Sequence, residues 1–335
     1  MSIQQLKANA EANFLRYKPG QKRGHYESYF IRANHSSESK AFWIRYTLFS
    51  PDKHPEKAMG ELWAVYFDGK KQEQHAAKAE FPIGQCVLNE TNFNLKIGES
   101  SLNSVAAKGQ ALDFNWDLKY KSTENPLFFL PLNFYHLPFP KAKSLVPQPF
   151  STFNGTLQVS ANKIEIKDWI GSQNHNWGEK HTDYYAWGQV AGFDNSPDTF
   201  LELITAQLKI GPIKTPMMTI LVLRHKGKEY RLNNLKQWFT AKAKFKYFDW
   251  NFECENKDVR IKGRIFAPAE FFVGLRYPNT PGGNKYCLNS KIASCDLSIE
   301  EKDKIGINEA VHTDFRCAFE ILTDDKTSHG VEILF

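Results

Sequence analysis

Residues 42–49 read FWIRYTLF and residues 60–67 read GELWAVYF. In the first run Phe42, Ile44, Tyr46 and Leu48 recur at every second position, which puts them on one face of a β-strand. In the second, Leu62 to Phe67 is apolar at successive positions, as a strand covered on both faces requires. Working outward, Ile164 and Ile166 alternate with Lys163, Glu165 and Lys167. Thr199–Leu208, Thr219–Arg224, Arg260–Phe266 and Phe315–Leu322 share the period of two. Turn-forming residues stand between such runs at Asp68-Gly69, Asn154-Gly155, Lys226-Gly227 and Pro281-Gly282-Gly283. From Lys244 to Phe252 the apolar phase slips by one residue, which predicts a β-bulge. The only helical spacing is N-terminal, at Ile3, Leu6, Ala10 and Phe14. The pattern amounts to roughly sixteen to twenty strands, the signature of barrels or sandwiches. It predicts an all-β chain of two antiparallel β-barrels side by side after a short N-terminal helix, each barrel of about eight to ten strands. The first barrel is assigned to residues 1–178 and the second to 179–335.

With 335 residues, 41% of them hydrophobic, the chain can bury a sizeable core. Its 26 Phe, 13 Tyr and 8 Trp favour strands over helices. The net charge of +6 comes from Lys and Arg scattered among Asp and Glu, without a run that could track a phosphate backbone. Nucleic acid is therefore not an expected partner. Five cysteines, none in a C-x-x-C or zinc spacing, read as reduced thiols. No signal peptide and no apolar run of membrane-spanning length is present, so a cytoplasmic protein without a transmembrane segment is expected. Nucleotide-binding, nucleophile-elbow and zinc-hydrolase motifs are absent, and neither a cofactor nor a metal is expected.

Residues 125–150, NPLFFLPLNFYHLPFPKAKSLVPQPF, hold six of the 16 prolines and five Phe. Proline removes ladder donors, so this segment is expected not to form a central strand. An apolar lid over a pocket and a linker packed between the barrels both fit it.

Residues 171–189, GSQNHNWGEKHTDYYAWGQ, concentrate the chemistry. As a strand, 173–178 would place Gln173, His175 and Trp177 on one face and Asn174 and Asn176 on the other. An imidazole can exchange a proton near neutral pH, and an indole face stabilises positive charge. His175 and Trp177 are thus candidates for protonating an alkene and sheltering the resulting cation. The same pair could instead plug one barrel end. Asp183, three residues before Ala186, follows His181 at a spacing that can orient an imidazole. Tyr185, Trp187 and Gln189 share its parity and, with Gln173 and Asn174, are candidate substrate contacts. Glu202 shares a face with Phe200, Ile204 and Ala206. A carboxyl on an apolar face holds its proton to higher pH, which makes Glu202 a candidate acid.

The segments NHNWG at 174–178 and YYAWGQ at 184–189, with AFWIRYTLF at 41–49 and GELWAVYF at 60–67, resemble the lipocalin-like superfamily of AttH-like proteins and carotenoid 1,2-hydratase (hydroxyneurosporene synthase). The resemblance implies two lipocalin-like barrels and hydration of isoprenoid double bonds or cyclisation of polyene-like molecules. It implies a catalytic His-x-Trp pair, matched by His175 and Trp177. The family's further Tyr and Asp have no clear counterpart, and Glu202 stands at a similar distance. The combined expectation is a cofactor-independent acid–base enzyme with a small hydrophobic substrate, isoprenoid- or polyketide-like, bound near the barrel junction. A non-catalytic carrier of a hydrophobic ligand is the alternative.

Overall fold

The computed structural model describes residues 2–302, 306 and 308–335. After helix α1 (Ile3–Ala10), the first half folds into β1 (His25–Asn34), β2 (Lys40–Ser50), β3 (Met59–Asp68), β4 (Glu73–Pro82), β5 (Cys86–Val87), β6 (Asn94–Ile97), β7 (Ser100–Asn103), β8 (Ala106–Ala111), β9 (Phe114–Lys121), β10 (Leu127–Phe128), β11 (Ala142–Val159) and β12 (Asn162–Gly178). They form one curled, barrel-like sheet in the order β4-β3-β2-β1-β12-β11-β9-β8-β7-β6-β5, with β10 on β11. The second half holds β13 (Tyr184–Ala191), β14 (Phe200–Gln207), β15 (Lys209–Ile210), β16 (Ile213–Lys214), β17 (Met218–His225), β18 (Lys228–Leu232), α2 (Leu235–Thr240), β19 (Lys242–Lys246), β20 (Asp249–Glu255), β21 (Val259–Phe266), β22 (Val273–Pro278), β23 (Asn284–Glu301), β24 (Asn308–Thr323) and β25 (Ile333–Leu334). Its main sheet runs β18-β17-β14-β13-β24-β23-β21-β20-β19, with β22 on β23 and β25 beside β22. The chain is all-β with a short N-terminal helix, in two lipocalin-like barrels. No helix among the described residues is long and apolar enough to cross a membrane.

The periodicity explains how the barrels meet. The even-numbered residues Phe42, Ile44, Tyr46 and Leu48 of β2 fill the first barrel together with Leu62, Ala64 and Tyr66 of β3. Trp43, Trp63, Val65 and Phe67 point the other way and pack on Leu275, Tyr277, Cys287 and Leu322 of the second barrel. Strand β3 is thus apolar on both faces because it lines a barrel interior and a barrel–barrel contact at once. A second inter-barrel cluster sets Phe129, Leu130 and Val146 against Phe200, Met218, Ile220, Val222 and Trp238. Full burial of each large apolar side chain contributes about 1.5–3 kcal/mol, so both contacts are strong joints.

Between these clusters runs a polar seam. Arg32, fully buried on β1, donates from Nε to Gln189 Oε1 (2.7 Å) and from Nη2 to the Gln189 carbonyl (3.1 Å) on β13. Asn34 accepts from Arg32 Nη1 at 2.7 Å and donates across the junction to the Lys291 and Phe315 carbonyls.

Three local expectations are corrected. Residues 242–255 hold no bulge: the phase slip is a two-residue hairpin turn at Tyr247-Phe248, with Phe248 at φ 70°. Asn154-Gly155 is not a turn but a bulge inside β11, where register shifts between Phe153 and Gly155. The Pro-rich segment does enter a strand, since 142–150 form the first half of β11, but this half pairs with β12 on one side and, at Leu145 and Val146 alone, with β10 on the other; β9 pairs only from Thr152 onward. Prolines are tolerated there because Pro147 and Pro149 each fall in a break of the β11–β12 register.

Gly155 has φ 140°, and a Cβ there would run into the Asp117 carbonyl of β9. Gly155→Ala is expected to destabilise the chain by about 2 kcal/mol or more, read as a lower urea midpoint, while Gly84→Ala, at a position with open space, shifts it little.

Candidate functional site

A cavity of about 160 Å³ lies between the two barrels. Its walls come from outward-facing residues of both sheets, not from either barrel interior. Phe129, Leu130, Ile204, Met218, Ile220 and Trp238 supply an apolar side. Arg45, Tyr185, Trp187, Glu202, Tyr277 and Glu320 supply polar groups. Phe139, 42% exposed, stands at the rim. An engineered apolar cavity of similar size holds one benzene ring, so the enclosed space takes a ring-sized body and a longer molecule must pass Phe139.

The β12 register settles the 171–178 stretch. Gln173, His175 and Trp177 pair with Ile31, Tyr29 and Glu27 of β1 and share their face, while Asn174 and Asn176 face the junction. His175 borders the cavity, but its ring is fully buried against Tyr29, centroids 4.1 Å apart. Its Nδ1 faces the Ala12 carbonyl and its Nε2 faces Glu27 Oε1, both at 2.8 Å. Both ring nitrogens are thus engaged by protein acceptors, and neither faces the cavity. Trp177 lies 4.6 Å from His175 by ring centroid, as expected, yet it does not line the cavity. It packs with Ala12, Phe128 and Leu145, and the Arg16 guanidinium takes its face at 5.2 Å. The imidazole–indole pair is therefore brought together, but as part of a clasp on the N-terminal segment.

Glu27 is the centre of that clasp. Its buried carboxylate accepts from the Arg16 and Tyr17 backbone N–H groups, the Tyr29 hydroxyl (2.8 Å), His25 Nε2 (3.1 Å) and His175. Burial would raise its pKa, but the hydrogen bonds and charge of His175 and His25 outweigh that and hold it well below the usual carboxylate range. Gln173 belongs to the same clasp, exchanging two amide hydrogen bonds with Asn13 at 2.9 and 3.0 Å.

Glu202 occupies the other environment. Burial pushes its carboxyl up to about 7, against the hydrogen bonds from Trp187 and Gln189 and the field of Arg32. Trp187 Nε1 donates to Oε1 (2.8 Å) and Gln189 Nε2 to Oε2 (2.7 Å). Gln189 also donates to Asn174 Oδ1 (2.8 Å) and accepts from Ser172 and Arg32, so Gln189 and Asn174 fix the acid from behind. Trp187 lines the cavity with Lys291 Nζ 5.5 Å above its ring, and Tyr185 lines it beside them. Asp183 lies apart: it pairs with Lys180 (3.1 Å), accepts from the Lys209 N–H, and does not line the cavity.

Several cavity groups carried no signal that the sequence reading used. Lys291 is buried and paired to Glu320 at 2.7 Å. Arg45 lies 4.5 Å over the Tyr277 ring. His181, by contrast, is the imidazole that its sequence spacing lets Asp183 orient; it lines the cavity stacked on Tyr26, is pushed down to about 3 by burial and by the nearby Arg45 and Lys285 charges, and is neutral near pH 7. The available sign was a charge inside an apolar run, Arg45 in FWIRYTLF, which marks a strand whose outer face is also covered.

The fold has solved counterparts. A protein described as an AttH from Nitrosomonas europaea matches with TM-score 0.56 and 9% identity over 92% of this chain and 98% of that one. Kievitone hydratase from Nectria haematococca matches at 0.55 and 10%, covering 92% and 91%, and CghA at 0.52 and 10%, covering 92% and 94%. The chain has the AttH-like fold. No family model matches the sequence. Two uncharacterized Mycobacterium tuberculosis proteins, MT0513 of strain CDC 1551 / Oshkosh and Rv0493c of strain H37Rv, are each 25% identical over 193 residues. The match covers 57% of this AttH-like chain, which spans 57% of the length of each relative.

Two carboxyls with opposite shifts give opposite pH signatures. Glu202 keeps its proton in the folded chain from the ordinary 4.5 up to about 7, so stability falls as pH rises through that window, by on the order of 3 kcal/mol. Glu202→Gln is expected to flatten this slope in urea unfolding between about pH 5 and pH 8. Glu27, held low, contributes stability above the ordinary carboxylate pKa that is lost as pH falls through its folded value. Glu27→Gln is expected to cost about 3 kcal/mol or more and to speed trypsin cleavage after Arg16.

Proposed function

We propose that this chain is a cofactor-independent acid–base enzyme acting on an apolar, ring-bearing molecule of isoprenoid or polyketide type in the inter-barrel cavity. Hydration, isomerisation and cyclisation share its first step, proton transfer to an unsaturated carbon or conjugated carbonyl. The reading rests above all on Glu202: a carboxyl protonated near neutral pH, in the cavity wall, with both oxygens oriented by fixed donors.

The chemistry follows from that placement. An acid with pKa near the working pH both gives and regains a proton efficiently. Glu202 delivers its proton to the substrate, and the carboxylate left behind is stabilised by the Trp187 and Gln189 hydrogen bonds and by Arg32. In hydration, water adds to the cationic carbon and its released proton returns to Glu202. In isomerisation or cyclisation, the proton returns from a substrate carbon or hydroxyl. The apolar side of the cavity excludes bulk water and holds the reacting carbons in one arrangement, which lowers the barrier by orientation. His175 then acts as a positioning residue, tying β12 to the N-terminal segment. The hydratase among the structural neighbours supports proton-first addition, as does the resemblance noted in the sequence.

The test is mass spectrometry of the small molecules that copurify with wild type and with Glu202→Gln, from the same expression host. The variant is expected to retain an unreacted precursor, and wild type the product. A product heavier by one water identifies hydration; an isomeric product identifies isomerisation or cyclisation. The same molecule, unchanged, in both proteins would make the chain a carrier. With the substrate in hand, turnover is expected to fall as pH rises through about 7.

A further inference from the structure

Opposite Glu202, the cavity contains donors that the protein does not satisfy. Arg45 is buried, and its Nε and Nη2 both donate to one acceptor, Ser28 Oγ, at 2.9 and 2.7 Å. Among the described residues its Nη1 has no hydrogen-bond partner and no carboxylate forms an ion pair with it. Trp43 Nε1 and the Tyr277 hydroxyl, both buried in the same wall, likewise have none. The group nearest the Tyr277 hydroxyl is the Cys287 thiol, a weak acceptor, which itself donates to Glu320 Oε2 at 3.7 Å.

The ion pairing points in the same direction. The carboxylates that act on Arg45 include Glu61 and Glu320. Glu61 is paired to Lys78 at 3.0 Å and Glu320 to Lys291 at 2.7 Å. Lys78 also pairs with the exposed Glu80, so of these three cations Arg45 alone lacks a paired carboxylate among the described residues. Glu202, pushed up to about 7, is mostly protonated below neutral pH, and His181, pushed down to about 3, is neutral there. Burial works against the Arg45 charge, but Tyr277, Glu61 and Glu320 outweigh it and raise its pKa; none of them accepts a hydrogen bond from Nη1, and the Tyr277 ring lies under the guanidinium without offering an acceptor in its plane.

We propose that Arg45, Tyr277 and Trp43 form a subsite for an oxyanion carried by the substrate, a carboxylate or an enolate oxygen on an otherwise apolar ring-bearing molecule. The proposal deepens the reading of the cavity as a substrate site and rests on it only for location. The oxyanion supplies a charged acceptor for the free Arg45 Nη1, the indole N–H and the phenol O–H. Anchored there, the molecule extends toward Glu202 and the apolar side, so one end is fixed by charge while an unsaturated carbon meets the acid. The subsite also selects: a neutral hydrocarbon leaves the three donors unsatisfied and binds more weakly.

The experiment is calorimetric titration at about pH 6, where Glu202 is mostly protonated, with four probes: 2-naphthoate and 4-hydroxycoumarin, a carboxylate and an enolate, against uncharged 2-naphthamide and coumarin. Each anion is expected to bind at least about tenfold more tightly than its neutral partner, the effect of one charge-assisted hydrogen bond. Preference for only one anion identifies the oxyanion class. Arg45→Met is expected to abolish the preference while leaving the neutral probes unchanged. Tyr277→Phe guards against loss of fold: its hydroxyl has only the weakly accepting Cys287 thiol beside it, so the melting temperature should change little while anion affinity drops severalfold. Equal binding of charged and neutral probes, no detectable binding of either anion at millimolar concentration, or an anion preference that survives in folded Arg45→Met and Tyr277→Phe overturns the proposal. Because turnover is not measured, a failure here leaves the role of Glu202 standing, and a failure of Glu202 leaves the subsite standing.

Discussion

Arg32 is the bolt on which the architecture depends. Its guanidinium leaves the outer face of the first barrel, crosses the junction and is held by the side chain and backbone of Gln189 on the second. Burial pushes its pKa down to about 10, yet it stays charged at neutral pH. Gln189 passes that constraint to Glu202 on one side and to Asn174 on the other. The relative placement of the barrels and the orientation of the acid are thus set by the same few hydrogen bonds. Apolar clusters on either side keep water from competing for them.

The molecule separates two carboxyl environments across one strand pair. On the barrel-interior face of β1 and β12, Glu27 is surrounded by donors and is kept ionised. On the junction face, Glu202 meets few donors and much apolar surface, and keeps its proton. The difference is one of environment, not residue type: several strong donors outweigh desolvation in one case, and two do not in the other. His175 falls on the Glu27 side, so its ring serves as a donor in a structural clasp while the adjacent Asn174 takes part in the reactive wall.

The period of two made most of the strands legible, because each strand has at least one apolar face. Double-sided apolar runs such as Leu62–Phe67 also showed that something covers the outside of a barrel. Parity placed Gln173, His175 and Trp177 together correctly, but it could not say which face looks into the cavity, since both faces of β12 are buried. Glu202 was visible as a carboxyl on an apolar face. Arg45, Tyr277, Lys291 and Glu320 were not, because they meet only when strands far apart in the chain pack back to back. The hairpin at Tyr247-Phe248 was misread since a large aromatic at positive φ mimics a strand residue. Prolines in β11 misled for a related reason: two breaks of register absorb them, and such breaks depend on the neighbouring strand.

The pairing of β1 with β12 has a consequence for biosynthesis. As the chain leaves the ribosome, β1 can pair with β2 at once, but its other edge waits until residues 162–178 have been made. Glu27 waits equally long for His175, 148 positions later. Through that interval the nascent first half carries an unpaired, largely apolar edge strand, the feature most prone to wrong partners. Closure of so long a loop is slow compared with local hairpin formation. The anchoring of the segment before β1, synthesised well ahead of β12, is therefore among the last events in folding of that half.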